Sequence, residues 1–134
     1  MRERRRPLSL PLVVVAARAA AAKTLEDTVV LDVGDLIAIT DHFVITGGRN
    51  DRQVRAVVEE VERAVKAAGG ALRRSEGLHD AHWVLLDYGD FIVHVLDAEA
   101  RAYYSLERLW SDSARIDWQA EEGDGALSAQ GVRR

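Results

Sequence analysis

At 134 residues, 48% of them hydrophobic, the chain is the size of one domain with a single core, and its net charge of −4 at pH 7 gives no general attraction to phosphate backbones. A basic protein suits it better as a partner, and no sequence-specific nucleic acid is expected. The absence of cysteine excludes disulfides, thiolate nucleophiles and thiolate zinc sites, and it agrees with a reducing compartment such as the cytoplasm.

Arg2, Arg4, Arg5 and Arg6 ahead of the apolar residues 8–17 resemble the start of a secretory signal, but Arg18 and Lys23 count against it, and the run is too short to span a bilayer. The same residues read as a flexible basic extension, 1–10, followed by an Ala-rich helix over about 12–23 with Pro11 in its first turn, where a missing donor is harmless. No membrane association is expected. Residues 28–33 (TVVLDV) and 41–47 (DHFVITG) read as strands, the second setting Phe43 and Ile45 against Val44 and Thr46. Gly34-Asp35 suits a turn between them, with 36–39 extending either strand.

The clearest helix opens at Asn50, whose side chain can cap free amides with Gln53 three positions on, and stops at Gly69-Gly70. Its stripe is Val54, Val57, Val58, Val61 and Val65, a core-facing pattern, with Glu59 and Arg63, and Glu62 and Lys66, on the wet side. Residues 71–74 form a short segment and 75–80 a loop. Then 82–87 (HWVLLD), the turn 87–90 and 91–97 (FIVHVLD) give a hairpin signal. Alternation puts Trp83 and Leu85 on one face and Val84 and Leu86 on the other. From Ala98 the period becomes helical, with a stripe of Ala102, Tyr103, Leu106, Leu109 and Trp110 that ends near 111–113. Residues 11–118 thus form one α/β domain, and 119–134, rich in Gly, Ala, Ser and charge, are expected to be a disordered tail.

Little in this pattern supports catalysis. His79 and His82 share no helical face, so no metal site is expected. His94, inside an apolar strand, reads as a core histidine bonded to backbone or to a carboxylate such as Asp41 or Asp97. None of the candidate hydroxyls, Thr40, Thr46, Ser75 and Ser105, sits in a nucleophile elbow. Gly47-Gly48 lie where backbone amides can cradle a phosphate, and a magnesium-dependent nucleotidyltransferase is the alternative reading. That enzyme would also need converging carboxylates, and Asp32, Asp87 and Asp90 do not form the required pair. No catalytic residue and no cofactor are assigned. Trp83 is open to either a core or an interface role.

The segments TDHFVITGG, NDRQV, EG, HWVLLDYGDFIVHV and RAYYSLERLW, in this order and at these separations, resemble the ribosomal silencing factor (Iojap-like) family over about residues 12–110. The resemblance implies a mixed sheet flanked by helices, nucleotidyltransferase-like in topology, with no enzymatic role. It also implies binding to the large ribosomal subunit through the ribosomal protein numbered fourteen. Small-subunit joining would thereby be blocked and translation repressed under nutrient limitation, and the free protein could form a homodimer. By position, Trp83, Leu85, Asp87, Tyr88 and Asp90 become the expected partner-binding residues, while Asp41, Glu76, Gly77, Gly89, His94, Arg101, Tyr104 and Trp110 match family signature positions. The sequence departs from the family pattern at His42, at Asn50 and in the residues 2–7 that precede the usual start.

Overall fold

The computed structural model describes residues 10–120, so the extension expected over 1–10 and the tail expected over 119–134 lie outside the described residues except at Leu10, a buried residue that opens the first helix, and at 119–120, which lie in a turn. Its elements run α1 (Leu10–Ala21), β1 (Val29–Asp32), β2 (His42–Gly48), α2 (Asp51–Ala67), β3 (Arg74–Glu76), β4 (Trp83–Asp87), β5 (Phe91–Asp97), α3 (Ala98–Tyr104), α4 (Leu106–Leu109) and β6 (Ala114–Ile116). The strands form one mixed sheet in the order β3-β4-β5-β2-β1-β6, with β2 and β5 parallel at its centre and every other pair antiparallel.

The helix α2 forms as its sequence dictates. Asn50 accepts a hydrogen bond from the Gln53 amide at 2.8 Å, and the Gln53 side chain accepts from the Arg49 amide at 2.8 Å, a capping box displaced by one residue. At the other end Gly69 N–H donates to the Lys66 carbonyl and Gly70 N–H to the Val65 carbonyl, the paired bonds that close a helix C-terminus. All five stripe valines are buried, and on the wet side Arg63 pairs with Glu60 at 2.5 Å. Together α1 and α2 seal one sheet face, where Val44, Val84, Leu86, Phe91, Val93 and Val95 meet the helix valines and alanines.

Several sequence expectations are corrected. Residues 36–39 extend neither strand and instead continue the connection after a turn at 34–36. The segment 74–76 (RSE), assigned partly to a loop, is the edge strand β3, and β6 (ARI) is the opposite edge; each has only three residues, too few for a period to announce a strand, and β3 is exposed throughout while β6 buries only Ile116, in part, against the core. The single helix expected after Ala98 is broken at Ser105, which takes a left-handed conformation with φ +49°. That break shifts the helical phase. Ala100 and Leu106 are buried, whereas Tyr103 and Leu109 of the expected stripe are 79% and 71% exposed and Ala102 is exposed as well.

Candidate functional site

The second sheet face is built differently. Val29, Leu31, Phe43, Ile45 and Leu96 supply its apolar floor, and the short helices α3 and α4 cover it only through Ala100 and Leu106, with Trp110 packed behind. The strand β4, one place in from the edge, lies at the margin of this cover. Trp83, Leu85 and Asp87 therefore point from it in a row at two-residue spacing, each only partly buried. Glu76 and Arg74 of β3 stand opposite Leu85 and Asp87 and carry the row to the sheet edge. Arg74 forms ion pairs with both Glu76 and Asp87, the latter at 3.3 Å.

Trp83 is the centre of an aromatic chain. Its ring centroid lies 4.7 Å from that of Tyr104, which meets Tyr103 at 4.9 Å. On its other side Trp83 Nε1–H donates to His94 Nδ1 at 3.1 Å. His94 packs edge-on against Phe43 at 4.8 Å, and Phe43 packs edge-on against Trp110 at 5.2 Å. The expectation that His94 bonds a carboxylate or backbone is thus corrected: its partner is the indole, which reaches it diagonally across the β4–β5 pair. Burial pushes the His94 imidazole down to about 4, so the ring is neutral at physiological pH. Asp97 instead takes His82 Nδ1 at 2.7 Å and caps α3 by accepting from the Ala100 amide at 2.8 Å. Beyond Tyr104, the residues His82, Asp97, Glu99, Ala100, Tyr103 and Tyr104 line a pocket of about 290 Å³.

The remaining expected site residues fall around this face. Tyr88 points the other way: its ring stacks on Phe91 at 4.8 Å beneath the helix-covered core, and burial raises its hydroxyl to about 12. Asp90 is exposed at the β4–β5 turn, where Gly89 is left-handed at φ +89° and its amide donates to Asp87 Oδ1 at 2.8 Å. Asp41, in the strand-entry position before β2, joins that turn through its amide and the Asp90 carbonyl at 2.9 Å. Gly77, at φ +87°, lies so near β4 that a Cβ there would come within 2.1 Å of the Trp83 carbonyl oxygen. Arg101 ties α3 to its surroundings, donating to the Asp27 carbonyl at 2.6 Å and pairing with Glu107 at 2.6 Å. Sequence reasoning passed over two residues. One is Phe43 on this face, whose alternation already aligned it with this side; the other is Arg55 of α2, whose guanidinium holds the Leu78 and His79 carbonyls in the loop that leads into β4, each at 2.8 Å, and for which there was no signal.

The features that suggested phosphate chemistry have other work in the fold. A Cβ on Gly47 would lie 2.7 Å from the Leu96 carbonyl oxygen and one on Gly48 2.8 Å from the Val54 amide, so close packing alone requires both glycines. Asp32 and Asp87 stand at the same sheet end with β2 and β5 between them, about 14 Å apart at three strand spacings. Each carboxylate accepts from an amide of its own turn.

Fold and face define the class: a small single-domain α/β protein with one sealed sheet face and one half-open aromatic face. A family model described as "Ribosomal silencing factor during starvation" matches residues 7–132. The ribosomal silencing factor RsfS of Bacillus subtilis is 38% identical over 103 residues, covering 77% of this chain and 87% of that protein. A mouse protein named "Mitochondrial assembly of ribosomal large subunit protein 1" is 30% identical over 88 residues, 63% of this chain and 39% of its own length. A crystal structure of a protein from Bacillus halodurans has a TM-score of 0.70 at 34% identity, covering 80% of this chain and 97% of that one. The chain belongs to the ribosomal silencing factor family.

Proposed function

We propose that this protein regulates translation from the cytoplasm by binding the large ribosomal subunit, with the ribosomal protein numbered fourteen as its contact. Occupying that surface blocks joining of the small subunit and lowers translation when nutrients are short. Family membership and the name of the mouse relative support the large subunit as the partner. The observation that carries the reading is the row Trp83, Leu85 and Asp87 on the uncovered margin of the sheet. An aromatic anchor beside an aliphatic one, with a carboxylate at the end, is the composition that dominates protein interfaces and suits a basic partner. Tyr104 extends the anchor, and the pocket beside it offers a recess for a partner side chain. Asp90 adds negative charge at the turn, whereas Tyr88 supports the turn from below.

The action is one of occupancy, without a catalytic step. Among the described residues no helix is long and apolar enough to cross a membrane. A free protein with this face uncovered is proposed to pair with a second copy through it; light scattering that finds only monomer at high concentration removes that part.

Co-sedimentation with separated large subunits, small subunits and joined ribosomes tests the main reading. Retention on large subunits alone, with fewer joined ribosomes as protein is added, is the expected result. No retention on any particle overturns it.

A further inference from the structure

We propose that His94 is the positioning residue for Trp83: held inside the sheet as a neutral hydrogen-bond acceptor, it fixes the indole in the orientation that presents its open edge to the partner. This rests on the reading of the face given above. An indole N–H can only donate, so at 3.1 Å the Nδ1 of His94 must be the acceptor and the ring proton must sit on Nε2. His94 is 6% exposed, and burial holds it neutral across the physiological range, so the acceptor persists. Its ring is itself immobilised by Phe43, which Trp110 backs.

A second observation indicates that the histidine is there for more than packing. Its Nε2 has no hydrogen-bond partner among the described residues, and a buried donor without an acceptor is a burden that a leucine or valine at this position would not carry. What the histidine contributes in return is Nδ1. With the N–H held by His94 and the ring set against Tyr104, the half-buried Trp83 side chain is fixed at two points before any partner arrives. An anchor ordered in advance gives up less side-chain freedom on binding than one that must be ordered by the partner.

The experiment combines a spectroscopic signature with binding, in the full chain labelled with nitrogen-15. The Trp83 indole N–H resonance, assigned by its loss in Trp83→Phe, should exchange slowly with solvent in the wild type. It should lose that protection in His94→Leu and keep it in His94→Asn, whose Oδ1 stands close to the place of Nδ1. Affinity for purified large subunits should fall about tenfold in His94→Leu and stay within about threefold of wild type in His94→Asn. Rapid exchange in the wild type, or a folded His94→Leu that binds as the wild type does, overturns the proposal. Should His94→Leu not fold, the labelled wild type decides by the scalar coupling across the hydrogen bond between the Trp83 indole nitrogen and His94 Nδ1: its detection supports the pairing and its absence overturns it. A wild-type chain that fails to bind subunits overturns the reading of the face and the binding half of this proposal, and the indole signal then reports separately on whether the pair exists.

Discussion

The two faces of the sheet are made from the same strands by the same alternation, yet they differ in what covers them. Helices of 12 and 17 residues seal the first with alanine and valine. The second is covered by a helix that breaks at Ser105 into pieces of seven and four residues. The broken cover leaves the β4 margin half-open, and there the interior changes character, with rings and a buried histidine in place of aliphatic side chains. A sealed face needs only volume and apolarity, whereas a face that must stay folded while presenting side chains has to hold each of them by a specific contact.

The same substitution on each face should separate the two most sharply. Val61→Lys buries a charge among the valines of α2 and is expected to cost about 4 kcal/mol or more, abolishing the cooperative melt followed by circular dichroism. Leu85→Lys, on the open face opposite Glu76, should shift stability by no more than about 1 kcal/mol, since the stem can lie along the sheet with its charge in water. That variant should nevertheless lose large-subunit binding, because it sets a cation against a basic partner; a Leu85→Lys protein that binds normally breaks the comparison. Next in size is Gly77→Ala, where left-handed backbone and the Trp83 carbonyl oxygen at 2.1 Å both oppose a side chain. Denaturant titration should show a loss of about 3 kcal/mol.

Trp83→Ala should reduce stability by about 2 kcal/mol, less than a fully buried tryptophan would, because its ring is only partly covered. Binding measured on the folded fraction should weaken by about 2 kcal/mol or more. An unfolded Trp83→Ala would show that the residue belongs to the core after all.

The smallest effect is electrostatic. The Asp97 hydrogen bond raises the His82 pKa above its usual value. Burial pushes the Asp97 carboxyl up, but His82 and the Ala100 amide outweigh it and hold the group below its usual value. The His82 contribution is therefore full below its unfolded pKa and is lost as pH rises through the raised folded one. The Asp97 contribution is full above its unfolded pKa and is lost as pH falls through the lowered one. Wild type should gain on His82→Gln in melting temperature between those limits, and the difference should vanish on the alkaline side. Melts from about pH 5 to about pH 9 test this.

Much of the sealed face was legible from residues close together in the chain. The α2 stripe, its Asn50 cap and its glycine stop are local signals, and so is the β4–β5 hairpin, whose turn and alternation matched the observed register. The row on β4 was legible in part, since alternation alone set Trp83 and Leu85 together. Placing Tyr88 with them followed adjacency in sequence, whereas the turn sends its ring to the other side. The edge strands β3 and β6 were not legible, because three residues are too few to show a period.

By itself, then, the sequence determined the class of fold and the core of α2, carried by spacing that survives in one dimension, and the family, carried by the resemblance of its motif residues. Only the tertiary structure decided that β2 pairs in parallel with β5, that the last helix breaks at Ser105, and that His94 meets Trp83 rather than a carboxylate. Those outcomes depend on which strands become neighbours. Pairing across a sheet is set by burying both faces at once, a condition the whole chain satisfies together and no segment can state alone.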